Sequence, residues 1–368
     1  MKEILLAGGA IFSMFFGAGN IVFPPVLGET WPNSWPSAIL GFFLTGVIVP
    51  LLGLISVVLF SGNTDKFFSP LGKVCGFLLQ ASIMAIEGPF GIVPRCFRVA
   101  YGGCKSLFPS VSALVFCGAV SICVGFMTIK RERVVPWVGK FLTPVKLGFL
   151  SLLIFWGLSQ AITQESLPLV WSSPAFYDGI LAGYQTYDLP GALYFSSMAM
   201  GYLISTKKNI SQKSLFIRGI TASCISAILL VIMYIGFICL GVQYSSSFPG
   251  VAPEDLLPCI VKESLGQFSN GIYSITIMVA CMTTSVAAIS VWTKFVTELL
   301  QPFKISYEMV LIASLGMAFA VSTLGFSGIV HFMQPILQYM YPILIAVTLF
   351  NLWKTVHRLS QKNNKNTC

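Results

Sequence analysis

The sequence predicts an all-α polytopic membrane protein of about ten transmembrane helices, built as two halves inserted in opposite directions. Three observations predict it. Of the 368 residues, 55% are hydrophobic and 10% charged, with a mean hydropathy of +0.83. A soluble domain carries about 25% charged residues, so one water-facing core could not hide this much apolar surface. Uncharged runs recur at 4–28, 30–64, 106–129, 147–164, 189–206, 219–253, 264–293 and 309–353. Most reach the roughly 20 residues a bilayer crossing needs, and the last holds two helices and a turn. Finally, helix-breaking residues fall inside the first and the sixth of the resulting helices. Five crossings separate them, an odd number, so equivalent halves must insert oppositely.

Helix 1 covers 4–27. Its length, and the lack of a small-residue cleavage site before polar sequence, predict a retained helix rather than a signal peptide. Gly17, Gly19 and Asn20 interrupt it in "FSMFFGAGNIVFPPVLGE", and Pro24 and Pro25 remove two backbone donors near its outer end. Irregular backbone at membrane depth is tolerated only when buried in protein or lining a cavity. Close packing of helix backbones is the structural alternative for the glycines.

Helices 2 to 5 cover 38–60, 74–103, 111–129 and 144–163. Helix 3 carries Glu87, Arg95 and Arg98. Ionisable groups inside a membrane mark function by default. Glu87 either pairs with Arg95 or Arg98, if the helix bends at Pro89 and Pro94, or carries a proton.

Helix 6 covers 175–206, and Gly183, Asp188, Pro190 and Gly191 disrupt its centre. Tyr184, Gln185, Thr186 and Tyr187 bring polar groups to the same place. Asp188 is either a capping carboxylate after the break or a coupling group. Helix 7 covers 219–242, and the connection 243–269 is predicted to carry a short helix or lid outside the membrane. Helix 8 covers 270–293. In it Ala280, Thr283 and Thr284 stand at i, i+3 and i+4 and share one face. Two hydroxyls and a carbonyl there suit a hard cation, or an ordinary helix–helix hydrogen bond. Helices 9 and 10 cover 309–326 and 331–353. The organisation is thus a first repeat at 1–163, a second at 164–353, and a polar cytoplasmic tail at 354–368 that is predicted to be disordered.

Of the 22 Lys and Arg, 18 fall at the two termini and in the even-numbered connections with their helix flanks, Lys140 and Lys146 among them. The positive-inside rule therefore places both termini in the cytoplasm. The net charge of +9 reads as topology and not as a nucleic-acid surface. The ten scattered cysteines read as small hydrophobes. An enzyme would show paired acids, a Ser/His dyad or a His-rich metal set, and the chain has only His331 and His357. A channel would show filter or ring sequences, and a sensor a cytoplasmic signalling domain.

Exposed helix ends supply the chemistry. A broken helix offers free N–H groups from one half and free C=O groups from the other. The first favour a carboxylate, the second an ammonium or a small cation. Together they suit a zwitterionic amino acid. Phe15, Phe16, Ile21, Phe23 and Leu189 surround the breaks and favour an apolar side chain.

Five segments in order resemble the bacterial branched-chain amino acid:cation symporters of the amino acid–polyamine–cation superfamily. They are "GAGNIVFPP", "GPFGIVPR", "GYQTYD", "CMTTSVAAIS" and "QPILQYMYPILI". The resemblance implies a leucine-transporter-type five-plus-five inverted repeat in the bacterial inner membrane. It further implies uptake of leucine, isoleucine and valine with Na+ or H+ as coupling ion, and no other cofactor. Carried over onto this sequence, it implies a sodium bound by the carbonyls of Ser13, Phe16 and Ala280 and the hydroxyls of Thr283 and Thr284. The substrate carboxylate would meet amides at Gly17, Ala18 and Gly19, with Asn20 fixing the register. The ammonium would face carbonyls around Tyr184 and Gln185, beside Thr186 and Phe15. Family members usually have about twelve helices, and Cys96 stands where a Thr often follows "PR".

Overall fold

The computed structural model of the chain describes residues 1–129, 134–160, 168–206, 211–266 and 269–365. Lys130, Arg131, Arg133, Lys207 and Lys208, part of the topology count, lie outside the described residues.

The first predicted helix is two helices, α1 (Lys2–Phe15) and α2 (Ala18–Thr30), bent by 68°. Gly17 makes the break with extended backbone (φ −110°, ψ −150°), and its N–H is capped by Asn20 Oδ1 at 3.0 Å. The asparagine thus ends the irregular stretch by starting the next helix. Pro24 and Pro25 lie inside α2 and do not end it. Next come α3 (Trp35–Leu59) and α4 (Lys73–Lys105). The predicted bend in α4 falls at Gly88 and Gly91, where φ/ψ leave the helical region, while Pro94 sits inside regular helix. The following helices are α5 (Ala113–Thr128) and α6 (Val134–Ser159).

The sixth predicted helix is also two, α7 (Ser173–Tyr184) and α8 (Asp188–Ser205). Tyr187 between them takes the left-handed conformation (φ 64°), uncommon for a bulky side chain. After α9 (Gln212–Gln243), the predicted outer connection carries α10 (Pro253–Leu265). The chain closes with α11 (Ser269–Leu299), α12 (Tyr307–Ser322) and α13 (Gly325–Lys365).

Among the described residues every predicted segment is helical apart from the two breaks, but several helices overrun their predicted ends. α6 starts ten residues before 144, and α13 runs through most of the tail predicted to be disordered. Hydropathy marks where lipid could begin; a helix of Lys, Arg and Gln continues past that point because those residues are good helix formers. Among the described residues, six helices are long and apolar enough to cross a membrane, and α1 with α2 makes a seventh as a bent pair. By that measure the count of ten is not reached, because α5 and α12 are shorter and α7 and α8 are separated by their break.

The broken helices form the centre. From Ala7 to Phe15 every residue of α1 is buried, as is most of α8. Both α1 and α2 pack on α9, while α7 and α8 pack on α3, so each broken helix lies along the second helix of the other half. Glycines permit this approach. A Cβ on Gly179 would overlap Ala38 O, and one on Gly41 would overlap Phe176 O, so α3 and α7 touch backbone to backbone. Gly28 and Gly241 do the same for α2 and α9. Around this centre the outer surface is apolar, with Phe126, Phe155, Ile312 and Tyr339 each about 70% exposed or more. A face of that kind suits lipid and not water.

Candidate substrate and cation site

The two breaks meet. A Cβ on Gly19 would stand 2.7 Å from Gln185 O, 3.0 Å from Arg95 Nη2 and 3.2 Å from Thr186 Cα. Only a residue without a side chain lets the start of α2 lie against the α7–α8 break at this distance. Thr186 Oγ1 donates to Gly183 O at 2.8 Å and closes the end of α7.

Three side chains lock the junction. Asn20 Nδ2 donates to Asp188 Oδ1 at 2.8 Å and also to the Tyr234 hydroxyl. Tyr234 in turn donates to Asp188 Oδ2. All three are buried, and they tie α2, α8 and α9 together. Asp188 thus stands at the start of α8, where a carboxylate is favoured by the free N–H groups.

Arg95 reaches into the same place from α4. Its Nη1 and Nη2 both donate to Gln185 O at 3.1 Å. Its guanidinium lies 4.7 Å from the Tyr187 ring centre and 5.2 and 5.3 Å from those of Phe23 and Phe326. Arg95, one of the two partners, Arg95 or Arg98, that the pairing alternative offered Glu87, thus meets aromatic faces by cation–π contact and not Glu87. Glu87 is buried in the bend of α4, and neither carboxylate oxygen has a hydrogen-bond partner among the described residues. Gly17, Ala18, Phe15 and Thr186 line a small cavity with Arg95 and Cys96. Its volume is about 10 Å³, room for no more than one water. Tyr184 does not line it; its ring lies 4.4 Å from that of Tyr341, and its side chain is half-buried.

On the other side of the α1 break stand the five residues carried over as sodium ligands. Thr283 Oγ1 lies 2.8 Å from Ala280 O and 3.1 Å from Ser13 O. Thr284 faces Gly17, and its buried hydroxyl has no hydrogen-bond partner among the described residues. The carbonyls of Ser13 and Phe16 accept from Lys146 Nζ at 2.6 and 2.7 Å. Lys146 was counted above as a cytoplasmic flank; it is fully buried. Starting helix 5 at 134 instead of 144 would have placed this lysine well inside the helix, where an ionisable group signals a site. Tyr234 carried no comparable signal, as one tyrosine in the apolar run "LLVIMYIGF".

Residues 1–368 match the family model described as branched-chain amino acid transport protein. The branched-chain amino acid permease BrnQ of Bacillus subtilis is 30% identical over 366 residues, covering 96% of this chain and 82% of that protein. The branched-chain amino acid transport system 2 carrier protein of Pseudomonas aeruginosa is 29% identical, covering 97% and 83%. Among solved structures, Mhp1, a nucleobase-cation-symport-1 family transporter, in a closed conformation with bromovinylhydantoin bound, superposes with a TM-score of 0.64 at 13% identity, over 93% of this chain and 76% of that one. MhsT in complex with L-phenylalanine gives 0.57 at 15% identity, over 88% and 79%. At such identities the likeness concerns the fold, which is the leucine-transporter type.

Proposed function

Since the chain belongs to the branched-chain amino acid transport protein family, we propose that it imports leucine, isoleucine and valine across a bacterial plasma membrane by alternating access, in symport with Na+ or H+. It is a transport protein and not an enzyme. Both termini would be cytoplasmic, as the charge distribution suggests.

The observation that carries this reading is the contact of the two breaks at Gly19 and Gln185. A zwitterion bridging them would find amide N–H groups on one side and carbonyls on the other. Gly17 N–H is already taken by Asn20, so Ala18 and Gly19 offer the amides to the carboxylate. Gln185 O, the acceptor for the ammonium, is held by Arg95. Substrate entry would require Arg95 to withdraw or share that oxygen, and the freed guanidinium would lie near the carboxylate. The cavity is too small for an amino acid, so the conformation described is a closed one, and binding needs an opened state on one side.

The test is uptake of radiolabelled leucine, isoleucine and valine into proteoliposomes, with a sodium gradient and a pH gradient imposed separately. Accumulation above equilibrium under one of the two gradients supports the reading. Equilibration at the same rate with neither gradient would replace it with facilitated diffusion.

A further inference from the structure

Arg95 is buried, and no carboxylate lies within ion-pair distance of it among the described residues. Both of its Nη groups converge on one atom, Gln185 O, at 3.1 Å. That carbonyl differs from its neighbours. Leu181 O and Ala182 O accept from Gln185 N–H, Gly183 O from Thr186 N–H, and Tyr184 O from Tyr187 N–H. Gln185 O is thus the oxygen at the end of α7 that meets a cation, at the negative pole of the half-helix. Tyr187, left-handed at φ 64°, lays its ring 4.7 Å from the guanidinium. Phe23 of α2 and Phe326 of α13 add two more faces at 5.2 and 5.3 Å. A planar, weakly hydrated cation suits such a box. Elements of both halves of the protein therefore close on one charge.

We propose that Arg95 is a tethered stand-in for the substrate's ammonium, which lets the transporter close without an amino acid and so complete the return half of its cycle. The inference rests on the transport reading above. An importer that accumulates substrate must bring its unloaded form back through a closed conformation; a carrier unable to do so only exchanges one substrate molecule for another. Closing on an unpartnered carbonyl is costly, because a buried acceptor loses its hydrogen bonds to water and gains none. A bound amino acid would supply the missing donor from its ammonium. Arg95 supplies it from the chain itself. Its two N–H groups satisfy Gln185 O, and the junction packed around them leaves about 10 Å³, too little for a substrate. Gly19 makes room for the guanidinium, since a Cβ there would stand 3.0 Å from Nη2. When substrate enters, ammonium and guanidinium compete for one oxygen, and the carboxylate draws the displaced guanidinium to its own side. Arg95 therefore serves both halves of the cycle by changing partner.

The experiment uses the full chain in proteoliposomes preloaded with radiolabelled leucine, with sodium and pH equal on both sides. Two rates are measured: net efflux into leucine-free buffer, which needs the unloaded return, and exchange into buffer with saturating unlabelled leucine, which does not. Wild type is compared with Arg95→Leu, Arg95→Lys and Phe326→Leu. We expect the ratio of exchange to net efflux to rise at least about tenfold in Arg95→Leu, the least that losing a hydrogen bond from a charged group predicts. Both rates fall where Arg95 also receives the carboxylate, and the ratio cancels that common loss. Arg95→Lys returns a cation without the stacked plane, so its ratio should lie between those of wild type and Arg95→Leu. A wild-type ratio in Arg95→Leu would overturn the proposal, as would a lysine variant no better than the leucine one, or a wild type that exchanges without net efflux. If Arg95→Leu does not fold, Phe326→Leu decides: it takes one ring from the guanidinium and should raise the ratio about threefold, and an unchanged ratio overturns the proposal. Wild type that moves no branched-chain amino acid by either route removes the transport reading and the inference together. Wild type that does both, with no change of ratio in the variants, removes the inference alone.

Discussion

Tyr234→Phe removes one oxygen and nothing else. The ring keeps its contacts, with centroids 5.9 Å from Phe16 and 4.9 Å from Phe42. Two hydrogen bonds go: the donation to Asp188 Oδ2 and the acceptance from Asn20 Nδ2. Asn20 and Asp188 still hold each other through Oδ1 at 2.8 Å, so the junction loosens without coming apart. A hydrogen bond to a charged group contributes about 1.5–3 kcal/mol. The closed conformation should therefore lose between about tenfold and 150-fold in population relative to opened ones. The readouts are melting temperature in detergent and initial rates of leucine uptake. Both should fall, and an Asp188→Asn, Tyr234→Phe double variant should lose less than the sum of the two single variants, because the groups act on each other. Wild-type melting and uptake in Tyr234→Phe, or strict additivity in the double variant, would refute the claim that this triad joins α2, α8 and α9.

Other outcomes follow from the same geometry. Gly19→Leu places atoms where Gln185 O and Arg95 Nη2 now stand, at 2.7 and 3.0 Å from the first carbon alone, so leucine binding by equilibrium dialysis should vanish; normal binding would remove the junction from the site. Gly179→Val sets a branched side chain on Ala38 O, a backbone atom that cannot yield. It should lower stability by at least the 1–3 kcal/mol usual for overpacking, seen as a lower melting temperature, and an unchanged curve would contradict the α3–α7 contact. Cys96 is fully buried and lines the cavity. With the other nine cysteines replaced, a small thiosulfonate should modify it slowly and more slowly still with leucine present; modification as fast as in the denatured chain would mean that the cavity is open.

Much of this architecture can be read directly from residue order. Gly17, Gly19 and Asn20 announce the first break, and Gly183 to Gly191 the second, because helix breakers inside apolar runs have few tolerable explanations. What could not be read is which partner each freed group finds. Glu87 and Arg95 sit eight residues apart on one helix, yet the bend at Gly88 and the aromatic faces of Tyr187, Phe23 and Phe326 separate them. Those faces come from three other elements, and no local pattern encodes their meeting. Lys146 was hidden by a boundary. A polar stretch between apolar runs looks like a loop, but "VVPWVGKFLTPVK" continues as helix through a wider π-turn at Val138–Leu142 and carries its lysine into the core. The tail differs for the opposite reason, since its backbone stays helical to Lys365 where composition alone suggested none.

The cavity of about 10 Å³ at the junction has a kinetic corollary. If the junction is the substrate site, as proposed above, no amino acid fits the molecule in this shape, and capture would wait on parting of the helices. At high leucine the observed association rate should level off at the rate of that parting instead of climbing linearly, and the measured dissociation constant should be weaker than the intrinsic one by the fraction of molecules ajar at any instant.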